Sequence, residues 1–391
     1  MTDLGTAMTF QDQLNDLNRL YFFREFAFAR TRFTPAGGTE LELADSLILL
    51  GDDLMAFQAK ARDAGDPTDP SREARWFDRK ILGKATKQVR DTLRYLDDHH
   101  PVPVFNHRGH RRELSPTGLG RVHKLVCYEA APSLPEAQRN VRYHLSSTAG
   151  LIHLLPAADY LGIVRALLTP AELFDYLDFR AELIARWPDH VRGLPEPALV
   201  GQYLVGNAEA LPGVQHIEAL RRLRHDIDRW DISGILHNFA DRIVSPEADE
   251  LYYPIVTELA KLKRNELAEF KTRYLLAREK ARGDDIVLPY RFMCPRTQCG
   301  FVFVPVPTSL AQHKQRALEN FTLGAKYAFK APKCIGMVTS PDGNGWWSVD
   351  WCYAEHPWRQ DPEMDRWLRD NFPFREVSEV ELRRYSFADQ P

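Results

Sequence analysis

Between Thr39 and Lys60 the chain reads TELELADSLILLGDDLMAFQAK, two apolar runs joined at a tight turn. Runs of this kind on either side of a Gly-Asp-Asp turn form a pair of β-strands. Three polar residues interrupt them: Asp45 in the first strand, Gln58 and Lys60 in the second. A polar side chain buried in so apolar a strand is costly unless it finds partners or a metal to bind. Alternation puts Asp45 on one face with Leu41, Leu43, Leu47 and Leu49, while Glu42, Ala44, Ser46, Ile48 and Leu50 take the other. Gln58 and Lys60 share a face by the same period of two.

The flanking elements follow from the same kind of reading. Thr9 and Asp12 make an imperfect capping box ahead of a helical pattern, with Leu14, Leu17, Tyr21 and Phe28 on one face and Glu25 on that face too. Pro35-Ala-Gly-Gly38 ends the helix before the strand pair. After the loop from Gly65 to Ser71 a helix is expected from about Arg72 to Asp98, with Phe77, Ile81, Ala85, Val89, Leu93 and Leu96 inward. Lys80, Lys84, Lys87 and Arg94 line up nearly opposite, interrupted only by Asp91.

A carboxylate facing a Gln-x-Lys pair across adjacent antiparallel strands suits metal-assisted hydrolysis. A hard divalent cation wants oxygen ligands, and Asp45 offers a carboxylate, Gln58 an amide oxygen and Ala59 its carbonyl. Lys60 can hold the attacking water or stabilise charge developing at phosphorus. Glu25, Asp45, Gln58-Ala-Lys60 and the following helix stand in the order of the PD-(D/E)XK, or restriction-endonuclease-like, nuclease superfamily, which residues 10–110 and up to 186 resemble. Gln in the middle position is similar to the Mrr-like branch, which includes DNA-cleaving restriction enzymes. Gln58 departs from the acidic pattern: it cannot ionise or act as a base, so a second carboxylate is wanted, Glu25 first and Glu42 after it.

The resemblance implies a Mg²⁺- or Mn²⁺-dependent phosphodiesterase in which Asp45, Gln58 and Glu25 hold the metal and Lys60 positions water. It implies DNA as substrate, with RNA open, and a setting in restriction or antiviral defence. The alternative is a catalytically inactive nuclease-fold adaptor or nucleic-acid-binding subunit of a larger complex, which the neutral Gln58 favours. Lys80, Lys84, Lys87 and Arg94 are the candidate phosphate contacts, each adding a salt-dependent increment to binding; a solvated helix face is the other reading. Arg108, Arg111 and Arg112 form a second basic cluster, or an exposed loop.

With a net charge of −3, nucleic-acid binding has to come from such local patches. No apolar run reaches the ~18 to 20 residues of a membrane span, and residues 1–9 lack the basic and apolar regions of a signal peptide. A cytoplasmic protein is expected, without a membrane partner and with a protein partner or homo-oligomer left open. The five cysteines are too few and too scattered for a disulfide framework. Cys294, Cys299, Cys334 and Cys352 suffice in number for zinc, but the last two fall in expected strands, where free cysteine packs as a small hydrophobe. His107 and His110 read as loop residues. Walker and Gly-x-Ser-x-Gly motifs are absent, which argues against an ATPase or serine hydrolase.

The expected architecture is α/β. A restriction-endonuclease-like mixed sheet flanked by helices occupies residues 1–186, a helical region 187–283, and a small α/β domain 284–391. In the last, strands are expected at 286–291 and 301–305, a helix at 309–329, and a hairpin from Cys334–Thr339 and Trp346–Tyr353 around Asp342-Gly-Asn-Gly345. Its Trp346, Trp347, Trp351, Tyr353 and Trp358 either stack on bases or a nucleotide or form sheet core.

Overall fold

A computed structural model of the chain describes residues 8–33, 38, 41–62, 68–242, 251–342 and 345–388. Both halves of the capping box form: Thr9 Oγ1 accepts from the Asp12 amide at 3.2 Å and Asp12 Oδ2 from the Thr9 amide at 3.4 Å, opening helix α1 (Phe10–Tyr21). The helical spacing that carries on to Phe28 in the sequence does not survive past Tyr21. Phe23 takes φ 61°, which a right-handed helix does not admit, and after the short helix α2 (Phe23–Phe26) the chain enters strand β1 (Ala27–Phe33). Phe28 therefore pairs with Leu47 in a sheet rather than lining a helix.

Strands β2 (Leu41–Leu50) and β3 (Asp53–Lys60) are the hairpin of the sequence reading. With β1 they make three antiparallel strands in a row. A parallel strand cannot follow a tight turn; it needs a crossover, usually helical. Here that crossover is helix α3 (Pro70–Trp76), a π-helical stretch from Phe77 to Ala85, and helix α4 (Thr86–His99). A small ribbon of β4 (Val102–Phe105) and β5 (Arg111–Leu114) follows, and then β6 (Val122–Tyr128), parallel to β3. Strands β7 (Tyr143–Ser146) and β8 (Gly150–Pro156) complete a six-stranded sheet of order β1-β2-β3-β6-β8-β7. Strands β1, β5 and β7 were not anticipated from the sequence; each is short or ends a sheet or ribbon.

Helices cover both faces. Phe77, Ile81, Ala85 and Val89 pack on Val126, Tyr128, Ile152 and Leu154 on one side. On the other, Tyr160 from the helix Ala157–Leu167 meets Phe57 edge-on at 5.6 Å and donates to Asn18 of α1 at 2.7 Å. The chain is thus a mixed α/β protein with a mixed sheet flanked by helices.

A second sheet, of order β12-β11-β10-β9, combines β9 (Tyr290–Cys294), β10 (Cys299–Pro305), β11 (Lys333–Pro341) and β12 (Trp347–Glu355). Only β10 and β11 are parallel, and the helix Lys314–Ala328 makes their crossover. The expected strand at 286–291 starts at Tyr290, and the helical region ends in two helices, Tyr253–Ala260 and Arg264–Lys280. Residues 343 and 344 of the expected turn lie outside the described residues.

Contacts divide the chain into Met1–Leu223 with Phe387–Pro391, and Arg224–Ser386. The helical stretch 187–283 is shared between these units. Its helix Glu196–Val205 belongs to the first, because Glu196 forms an ion pair at 2.7 Å with Arg180 and both side chains are buried. No helix among the described residues is long and apolar enough to cross a membrane.

Candidate active site where two strands part

The β2–β3 ladder runs from Leu50–Asp53 to Ser46–Phe57 and no further. Beyond that pair β2 continues against β1 as far as Leu41, and β3 continues against β6 as far as Lys60. These two neighbouring strands therefore fork, and backbone groups that faced each other need other partners. Asp45, one residue past the last pair, supplies one: its Oδ2 accepts the Ala59 amide at 2.7 Å. Its Oδ1 accepts Gln11 Nε2, from the first turn of α1, at 3.3 Å.

Lys60 fills the fork. Its ammonium donates to Ala59 O at 2.8 Å, Asp45 Oδ2 at 3.3 Å and Gln58 Oε1 at 3.4 Å. The three oxygens that the sequence marks as metal ligands therefore converge on one cation, the chain's own ammonium. The ion pair is largely shielded, with 14% of the lysine and 10% of the aspartate side chain exposed. Asp45, Gln58 and Lys60 are thus brought together from two strands.

Glu25 is not brought to them. Ala27 pairs with Ile48 and Ala29 with Ser46, so Glu25 and Asp45 lie beyond opposite ends of that run. At ~3.3 Å per strand residue they stand at least ~10 Å apart along the strands. The Glu25 carboxylate instead accepts Arg108 Nε at 2.9 Å, and its backbone carbonyl accepts Asn106 Nδ2 at 3.0 Å. Asn106 in turn takes the amides of Arg108 and His110 on its side-chain oxygen at 2.9 and 3.0 Å, shaping the β4–β5 loop. Arg108, expected in a solvent-facing basic cluster, is the partner of a buried acid. The helical phase of α1, which in the sequence extends over Glu25, breaks at Phe23, and that sends Glu25 toward the β4–β5 loop.

Glu42, the second choice, sits opposite a register shift between Thr31 and Arg32, where Leu43 is an extra residue on β2. Bulges of this sort re-aim side chains; the Glu42 side chain itself lies outside the described residues. Gln11 was missed, although a signal existed: Gln11, Asn15 and Asn18 form an amide stripe at helical spacing on α1. Asn15 and Asn18 are buried, Asn18 donates to Ser46 Oγ at 3.4 Å, and Asn15 Oδ1 has no hydrogen-bond partner. On the opposite face of the sheet Thr92 of α4 donates to the Leu43 carbonyl, and one turn earlier Gln88 Oε1 is buried without a partner.

For a divalent metal the donor chemistry is oxygen only, with one carboxylate. Among the described residues no three His, Cys, Asp or Glu side chains gather to hold an ion. That set fits Mg²⁺ or Mn²⁺, which bind through one or two carboxylates and complete their shell with water and substrate phosphate. It would not make a closed structural site. Lys80, Lys84 and Lys87 are all exposed, and Arg94 is exposed beside Asp91 at 3.0 Å and over the Tyr95 ring. Comparison of the chain with family models, with curated proteins and with solved structures finds no match.

Proposed function

We propose that the first unit is a divalent-metal-dependent phosphodiesterase of the PD-(D/E)XK type, cutting nucleic acid and DNA in particular. One observation carries this: Asp45, Gln58 and Lys60, distant in sequence, converge where β2 and β3 part. The order helix, three antiparallel strands, helical crossover and parallel strand agrees with the resemblance that Asp45 and Gln-x-Lys carry. Restriction or antiviral defence as the setting rests on that resemblance alone.

Asp45, Gln58 and the Ala59 carbonyl would hold the metal, whose chemistry is to neutralise the phosphate and make a water more acidic. The Ala59 amide and Gln11 keep the Asp45 carboxylate from rotating, which fixes its oxygens in advance of binding. Lys60 has the reach and charge to orient the attacking water or to meet the charge that grows on the phosphoryl oxygens. Gln58 accepts and orients but takes no proton. Exposed Lys80, Lys84 and Lys87 offer phosphate contacts for the duplex.

Plasmid incubated with Mg²⁺ or Mn²⁺ should be cut by the native chain and not by Asp45→Ala or Lys60→Ala; equal cutting by all three removes the proposal. A second reading, an adaptor that keeps the fold without the chemistry, is favoured by the neutralisation of Asp45 by Lys60 and by Glu25 being held elsewhere. Calorimetric titration with Mn²⁺ separates the two. No binding, together with a stable partner on pull-down, supports the adaptor.

A further inference from the structure

Within the second unit, a cavity of about 450 Å³ opens between β12 and the helix Arg264–Lys280. Strand alternation sends Trp347 and Trp351 to that side, while Ser348 and Asp350 on the other side take Lys314 Nζ at 2.8 Å each. Trp351 is half-buried: it stacks on Phe270 at 6.2 Å with a 10° interplanar angle, meets Phe239 edge-on at 4.8 Å, and lines the cavity. Trp347, also half-buried, lines it with Tyr274, and the guanidinium groups of Arg278 and Arg282 lie over its ring at 4.7 and 5.6 Å from the centroid. Trp346 lines it too and is 68% exposed, so the hairpin gives the cavity an aromatic wall from Trp346 to Trp351.

The charges at this wall are unbalanced. Lys271 and Arg278 both line the cavity, and neither forms an ion pair with a described carboxylate. Lys271 donates to the Asp228 carbonyl at 2.7 Å, and Arg278 Nε is buried with no hydrogen-bond partner. Among the described residues one acid lines the cavity, Asp231, whose carboxylate accepts the Ser233 amide at 2.8 Å, against the two cations. Two cations at a cavity wall without a paired carboxylate are suited to a phosphate, which takes charge-assisted hydrogen bonds from both.

We propose that this cavity binds a nucleotide, with its base against the tryptophan wall and its phosphate on Arg278 and Lys271. Each half of the site argues against a simpler occupant. An apolar ligand would leave the Arg278 and Lys271 charges unpaired, and inorganic phosphate would leave the aromatic wall wet. A planar base is the π-surface that tryptophan and tyrosine stack upon without regard to sequence, and the volume lies within the ~300 to 1,000 Å³ of small-molecule sites. The same chemistry is presented by a free mononucleotide or by one nucleotide of a single strand. Nothing in the proposal depends on hydrolysis at the β2–β3 fork.

The test uses the full chain in EDTA, so that cutting cannot intervene, with tryptophan fluorescence and calorimetry as readouts. Probes are AMP, GMP, CMP and UMP, then adenosine, inorganic phosphate and a short single-stranded oligonucleotide. At least one monophosphate should bind saturably at one site, with adenosine and phosphate each at least tenfold weaker. Arg278→Gln and Lys271→Gln should each weaken it about tenfold or more while the melting temperature stays near that of the parent. Binding of the oligonucleotide alone, with the same loss in both variants, assigns the nucleotide to a strand and also supports the site. No saturable binding of any nucleotide or of the oligonucleotide, or binding that both variants leave unchanged, overturns it.

Discussion

Asp45 and Glu25 are both buried carboxylates paired with a base, and their surroundings differ. Around Asp45 the lysine shares its charge with the oxygens of Gln58 and Ala59, so the group sits in a cluster of oxygens at a strand fork. Around Glu25 the arginine comes from a loop already shaped by Asn106, which makes the pair a tie between that loop and the start of β1. Asp45→Asn keeps the acceptor for the Ala59 amide and removes the charge. It should lower plasmid cleavage by on the order of 100-fold or more with little change in melting temperature. Glu25→Ala should do the reverse, leaving cleavage at the parental rate while costing about 1 to 3 kcal/mol in a urea titration, because the buried ion pair with Arg108 is lost. If Glu25→Ala abolishes cutting without destabilising, Glu25 belongs to the site after all. Asp45, Gln58 and Lys60 could be picked from the chain because a polar residue stands out in an apolar strand and alternation tells which face it shares. Gln11 could not, since an amide in the first turn of a helix is ordinary until something is seen to lie beneath it.

The crossover from β3 to β6 shows how element geometry is written in spacing. Phe77, Ile81, Ala85 and Val89 recur every four residues, and all four are fully buried. On a 3.6-residue turn each such step drifts by about 40°, so a plain α-helix would rotate the last of them well off the face. Bonding from i to i+5 widens the turn, and from Phe77 to Ala85 it holds the stripe on the sheet. The basic residues ride on the same element: Lys80 and Lys84 leave from the π-helical stretch and Lys87 from the first turn of α4. Exchanging these three for glutamate should leave the fold intact, since all are exposed, and should weaken DNA binding. The slope of log affinity against log salt should fall by up to about 3, at ~0.9 per lost phosphate contact on B-DNA. An unchanged slope would make the stripe a solvated face. Thr92 is the matching tie on the buried side: Thr92→Val leaves the Leu43 carbonyl without that donor and should cost about 1 to 3 kcal/mol, read as a lower denaturation midpoint.

For the first unit as a whole, titration centres on buried groups behind the sheet. Arg180 joins Glu196 at 2.7 Å and His153 Nδ1 at 2.8 Å, and Tyr176 also donates to Glu196. Burial opposes the Glu196 charge, but Arg180 outweighs it and holds the carboxyl below its usual range. Burial, reinforced by Arg180, drives His153 well below the ordinary imidazole value. His123 falls to about 4, chiefly by burial, with Asp178 opposing and Arg121 adding to the fall. Both imidazoles are therefore neutral when folded and take protons when unfolded below pH ~6.5. Stability should fall as pH drops from 6.5 toward 4, where His123 alone contributes at most about 3 kcal/mol. Urea midpoints at pH 7 and pH 5 measure this, and His123→Phe should narrow the difference; a parent midpoint equal at both pH values contradicts it. Cap, strand alternation, turn and four-residue stripe are short-range patterns, and they sufficed to locate α1, the β2–β3 hairpin, the crossover and the polar trio. Pairing across the chain is another matter. Gln11 reaches Asp45 over 34 residues and Arg108 reaches Glu25 over 83, and each choice depends on how whole elements pack. So the residues that stand out could be named from the chain, while their company was decided only by the folded sheet. Local sterics and periodicity act within an element, but burial and charge pairing are settled between elements that only folding brings together.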